Sequence, residues 1–120
     1  MQTAVFWLQE KQAAGILALD LSALNSVTEI ALIVSATNQR HAQALADWLL
    51  QKLGQDGWEF MGMEGYQNGT WILLDLNEIV VHVFQQEYRE FYNLEGLWAE
   101  ALVLWQDAEQ QSPQTSNTGF

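Results

Sequence analysis

Two rhythms of hydrophobic and polar positions alternate along the chain. Ala42, Leu45, Ala46, Leu49 and Leu53 recur at helical spacing and form one apolar stripe. Thr37 or Asn38 can cap the start of that helix, and Gly54 can end it. Val5, Leu8 and Gln12 keep a similar spacing, which predicts a short helix over 4–14 closed by Gly15. A brief apolar run over 16–21 and a Ser- and Asn-bearing connection over 22–26 come next. Residues 29–36, rich in Ile, Leu and Val, read as a strand. After the long helix the pattern predicts a strand over 58–63, a Gly-bearing loop over 64–69, and two strands over 70–75 and 78–84. Residues 87–92 and 94–105 read as helices, and the chain closes in polar residues around Ser112-Pro113. Helices alternating with strands predict an α/β fold, in which a mixed sheet of about five strands is flanked by helices. One domain is expected over 1–108, followed over 109–120 by a polar tail with nothing to bury, expected to be disordered.

The last two predicted strands are so close that only a hairpin can join them, and Asn77 suits its turn because Asn tolerates positive φ. With Leu76 and Asn77 as the turn, Asp75 faces Glu78, Leu73 faces Val80, and Trp71 faces His82. One face then shows Trp71, Leu73, Asp75, Glu78, Val80 and His82. The other shows Ile72, Leu74, Ile79, Val81 and Val83, which is wholly aliphatic and must be core. The mixed face is the candidate working surface. Trp71 there is either ordinary strand packing or an exposed aromatic anchor of the kind that dominates protein interfaces. In the helical stretch that follows, Tyr88, Phe91, Leu97 and Trp98 read as packing back on the domain, with Arg89 and Tyr92 expected to stand clear of the core.

Composition narrows the function classes. The chain has 120 residues, 49% of them hydrophobic, enough for one core without staples. It has no cysteine, and so neither disulfides nor thiolate chemistry. No run is long enough for a membrane span, and no secretory signal is visible, which together predict a cytoplasmic protein with no membrane partner. Four Lys or Arg stand against fifteen Asp or Glu, a formal charge of −11. Phosphate backbones repel so acidic a body, so direct nucleic-acid recognition is not expected. A basic protein partner is the positive counterpart, and a charged coat for solubility is the plain alternative.

Catalytic motifs are missing. His41 and His82 lie on separate elements without a second ligand at metal spacing, so neither a metal nor a cofactor is expected. No nucleophile elbow, phosphate loop or dinucleotide fingerprint occurs, and no enzyme activity is expected. Arg40-His41 could hold a phosphate at the start of the long helix, or Arg40 could bond a nearby carboxylate.

The run Trp71 to Trp98, WILLDLNEIVVHVFQQEYREFYNLEGLW, resembles the ribosomal silencing factor family (RsfS, also called Iojap). Leu19-Asp20-Leu21-Ser22, Thr28-Glu29, Arg40-His41 and Glu64-Gly65 extend the resemblance over about 9–98. The chain departs from the family pattern at Ala36 and Asn77, where Gly is usual, and at Gln85-Gln86, where a His-Pro pair is common. Tyr88 and Gly96 are also atypical. The resemblance implies a nucleotidyltransferase-like fold lacking the Asp-x-Asp metal motif of those enzymes. It implies a non-enzymatic factor that binds large-subunit protein fourteen on the intersubunit face, blocks joining of the small subunit and represses translation. On that reading Trp71, Leu73, Asp75, Glu78, Val80, His82, Arg89 and Tyr92 are the partner-binding residues, and the mixed face could also pair with a copy of itself. The alternatives are a nucleotide-binding domain of nucleotidyltransferase type and an acidic adaptor for another basic partner.

Overall fold

A computed structural model describes residues 1–24 and 28–107. The elements run α1 (Gln2–Glu10), β1 (Ala14–Asp20), a 3-10 turn (Ser22–Leu24), β2 (Ile30–Ala36), α2 (Gln39–Asp56), β3 (Gly62–Glu64), β4 (Trp71–Asp75), β5 (Ile79–Gln85), α3 (Gln86–Tyr92), α4 (Leu94–Leu97) and β6 (Leu102–Gln106). The strands form one mixed sheet in the order β3-β4-β5-β2-β1-β6. β2 and β5 run parallel at its centre, and the other pairs are antiparallel. The fold is thus α/β, as the pattern predicts, with six strands rather than about five. No helix of the described residues is long and apolar enough to cross a membrane.

One sheet face carries the main core. Val5 and Leu8 of α1 and Leu45, Leu49 and Leu53 of α2 pack there against Ile16, Leu32, Val34, Ile72, Leu74, Val81 and Val83, all with 2% exposure or less. Each such side chain contributes roughly 1.5–3 kcal/mol by leaving water. The opposite face holds a smaller cluster. Leu17, Leu19, Leu21, Ala31, Ile33 and Phe84 are covered by Tyr88, Leu94, Trp98 and Ala101 from the segment after β5. That segment roofs the β1–β2 half of the face, and the β4 margin lies beside it.

Several local expectations are corrected. α1 ends at Glu10, and Gly15 (φ 56°) belongs to β1, where the register against β2 slips between Ala14 and Leu17. The glycine thus serves a bulge, whose backbone bend needs its freedom, and not a helix end. Asn38 caps α2 by accepting the His41 N–H at 2.8 Å. That helix runs through Gly54 and stops at Gly57, in left-handed conformation at φ 72°. The strand expected over 58–63 pairs later, as Gly62–Glu64, while Trp58 turns away to pack on Trp7 at 5.3 Å. The helix expected over 94–105 shrinks to Leu94–Leu97. Residues 98–101 turn, and Leu102–Gln106 form β6, whose Leu-Val-Leu-Trp run pairs with the open edge of β1. The tail expected over 109–120 lies outside the described residues.

The hairpin register also differs. Leu74 pairs with Val81 and Asp75 with Val80, and Leu76 N–H donates to Ile79 O at 2.8 Å. The turn is therefore Asn77-Glu78, one residue later than expected. Burial decides this, because Leu76 is 6% exposed and would be stranded in solvent at a turn tip. Asn77 takes the left-handed position at φ 79°, and its N–H is held by Asp75 Oδ1 at 2.9 Å. Pairing moves by two positions, so every strand residue keeps its predicted face, and Glu78 leaves the face for the turn.

Candidate functional site

Cross-strand partners share a face, which builds the mixed surface row by row. Trp71 lies opposite Phe84, Leu73 opposite His82, and Asp75 opposite Val80. On the outer side Glu64 of β3 stands opposite Leu73. Burial grades across the rows. Trp71, Leu73 and Asp75 on β4 are half-buried, whereas Val80, His82 and Phe84 on β5 are buried. Phe84 belongs to neither face of the expected hairpin. It joins this one because the two-position change in pairing sets it opposite Trp71.

An aromatic cluster fixes Trp71. Its ring lies nearly parallel to Phe84 at 4.9 Å and tilts against Tyr92 at 4.9 Å. Its Nε1–H donates to His82 Nδ1 at 3.1 Å. That bond assigns the proton of the neutral His82 ring to Nε2. Burial lowers the His82 pKa from 6.5 to about 4, so the imidazole is neutral at pH 7 and remains an acceptor. His82 and Trp71 meet on a diagonal, and not directly across the strands as the expected register has it. Trp98 closes the cluster with its ring 5.8 Å from His82.

Two hollows flank Leu73. One, of about 280 Å³, is lined by Leu21, Leu73, Asp75, Val80, His82 and Trp98, together with Thr28 and Ala31. The other, of about 240 Å³, lies between Glu64, Gly65, Trp71 and Leu73. Each pairs apolar walls with one carboxylate. Gly65 (φ 83°) makes the second possible, since a Cβ there would collide with the Trp71 carbonyl oxygen.

The structure therefore brings Trp71, Leu73, Asp75, Val80 and His82 onto one surface, with Tyr92 at its edge, 46% exposed. Glu78 sits exposed in the turn. Arg89 is corrected. It is 4% exposed, with Nε on Glu95 at 2.8 Å and Nη1 on Gly15 O at 2.7 Å and Ser35 Oγ at 2.8 Å. It clamps α3 to β1 and β2. Glu64 and Trp98 join the surface although strand alternation in the hairpin does not point to them. The signal for Glu64 is the β3–β4 pairing, which a strand over 58–63 places too early in the chain.

The structure engages His41 of the Arg40-His41 pair within the chain and gives Arg40 no carboxylate partner among the described residues. His41 Nδ1 accepts the Thr37 N–H at 3.0 Å and Nε2 meets Lys11 O at 2.8 Å, so both ring nitrogens are engaged within the chain. Arg40 makes no ion pair among the described residues, where the one ion pair is Arg89–Glu95. The described residues also contain no group of three His, Asp or Glu placed to hold a metal ion.

The geometry is that of an α/β domain whose sheet is roofed on one side by long helices and only partly on the other. Its whole length places it further, since the family model "Ribosomal silencing factor during starvation" matches residues 1–119. The ribosomal silencing factor of Halalkalibacterium halodurans is 35% identical over 101 residues, covering 84% of this chain and 86% of that one. A crystal structure of a Chromobacterium violaceum protein superposes with a TM-score of 0.79 at 32% identity, covering 82% of each chain. The mouse protein named for mitochondrial assembly of the ribosomal large subunit is 28% identical over 96 residues, with 41% of its length covered. The chain belongs to the ribosomal silencing factor family.

Proposed function

We propose that this chain binds the large ribosomal subunit through its protein fourteen, on the intersubunit face, and blocks small-subunit joining by occupying that space, so repressing translation. The observation that carries the reading is the Trp71 indole. It is half-exposed, held by His82, Phe84 and Tyr92, and walls one of the two hollows that flank Leu73, each of which holds a carboxylate. An aromatic side chain already fixed in its bound pose loses little freedom on docking, which is where interface hot spots gain their energy. Asp75 and Glu64 suit Lys or Arg of a cationic partner, whose alkyl stems can lie along Leu73 and Trp98. The remaining acids of a chain at −11 speed the encounter. The relatives' names agree with a role on the ribosome, and one names the large subunit. The block needs only volume at the right place, so the mechanism asks for no catalytic group.

Sedimentation of mixed subunits tests the reading. Added chain should lower the fraction of joined particles and travel with the large subunit. Joining that proceeds unchanged at saturating chain contradicts it.

A further inference from the structure

The opposite side of the molecule carries a second feature. Lys11, Arg40 and Lys52 are cations of a chain in which acids outnumber bases fifteen to four, yet none forms an ion pair among the described residues. Two of them converge. Lys11 Nζ lies 4.3 Å and Lys52 Nζ 4.7 Å from the centroid of the same ring, Trp48. His41, Ala44, Trp48, Lys52 and Gln55 form one acid-free stripe on α2. The two carboxylates of that helix are used elsewhere, Asp47 accepting the Tyr66 hydroxyl at 3.0 Å and Asp56 the Trp58 Nε1–H at 2.7 Å. The bond from His41 to Lys11 O pins the end of α1 beside this stripe. Trp48 Nε1 is buried and has no acceptor. Two ammonium groups thus stand against one indole ring, with no carboxylate paired to either among the described residues.

We propose that the Lys11–Trp48–Lys52 cluster binds phosphate groups of RNA. Like charges held on one ring favour anions beside them, and successive phosphodiesters of one strand can answer both ammonium groups. The overall charge of −11 argues against strong or extended nucleic-acid binding, and the site is accordingly local: one or two phosphates, held from the helical layer. That layer covers the sheet face opposite Trp71, so a protein docked there leaves the cluster free to meet other surroundings. The choice of RNA among phosphate sources rests on the ribosomal reading above.

The test is nuclear magnetic resonance of the full chain titrated at low salt with a short single-stranded RNA and, separately, with inorganic phosphate. The Trp48 indole N–H and the residue 11 and 52 amides should shift with RNA, and the Lys11→Gln/Lys52→Gln variant should bind at least tenfold more weakly. Binding of wild type to large subunits should weaken with salt more steeply than that of the variant, by about 0.7 in the log–log slope for each phosphate the variant leaves unneutralised. Absence of these shifts, equal shifts in the variant, or an equal response to inorganic phosphate at matched phosphate concentration overturns the proposal. The Trp71→Ala variant should keep the RNA response. A chain that answers to RNA but ignores large subunits contradicts the docking reading and leaves this one standing.

Discussion

The Trp71 indole N–H donates to His82 Nδ1 across a diagonal of the β4–β5 hairpin, at 3.1 Å. A half-exposed ring is thereby tied to a buried one. The bond requires a neutral imidazole, which burial secures by pushing the His82 pKa down to about 4.

Stability should follow that imidazole with pH. In the unfolded chain His82 titrates near 6.5, and in the folded chain near 4. Between these values the unfolded state binds the extra proton, so the fold is fully stabilised above about pH 6.5 and loses stability as pH falls toward 4. The loss is on the order of 3 kcal/mol for this one group. Urea titrations across that window should show the slope, and His82→Phe should flatten it. An unchanged slope in the variant would assign the pH dependence to other groups.

His82→Phe also removes the acceptor that orients Trp71 while keeping bulk. Large-subunit affinity should fall roughly three- to tenfold at pH 7, about 0.7–1.4 kcal/mol, typical of one hydrogen bond. Retained affinity, measured by co-sedimentation, would mean that the aromatic neighbours alone hold the indole.

Arg89→Met should destabilise the domain by about 2–4 kcal/mol in denaturant titration, because it strands Glu95 and leaves Gly15 O and Ser35 Oγ without their donor. A change below about 0.5 kcal/mol, the range of ordinary surface substitutions, would contradict the buried clamp.

Gly65→Ala places a methyl group against the Trp71 carbonyl in a left-handed backbone. A cost of roughly 1–3 kcal/mol is expected, together with weakened docking as β4 shifts. Neutral behaviour in both assays would show that the loop can move away freely.

Much of the fold is legible in the sequence because burial leaves a periodic trace. Ile72, Leu74, Val81 and Val83 alternate so strictly that their face can be assigned before their register, and it survives a two-position change in pairing. Turn position is less legible, since Asn77 fits either end of a two-residue turn and only the burial of Leu76 decides between them. The β6 strand escapes because Leu102, Val103 and Leu104 are exposed at an edge and carry no periodic signature of burial. Arg89 escapes for a different reason. Its three acceptors come from β1, β2 and α4, and nothing local announces that meeting. The mixed face can be read from strand alternation, but the hollows beside Leu73 depend on Trp98 and Glu64 arriving from elsewhere in the chain.

The central claim is that the Trp71–Asp75 surface is what engages the large subunit. Its most direct test is subunit joining measured by sedimentation with Trp71→Ala/Asp75→Lys, after circular dichroism has shown the variant folded. The double variant should no longer travel with large subunits, and joined particles should return to the level seen without added chain. A folded double variant that still suppresses joining as wild type does would contradict the claim.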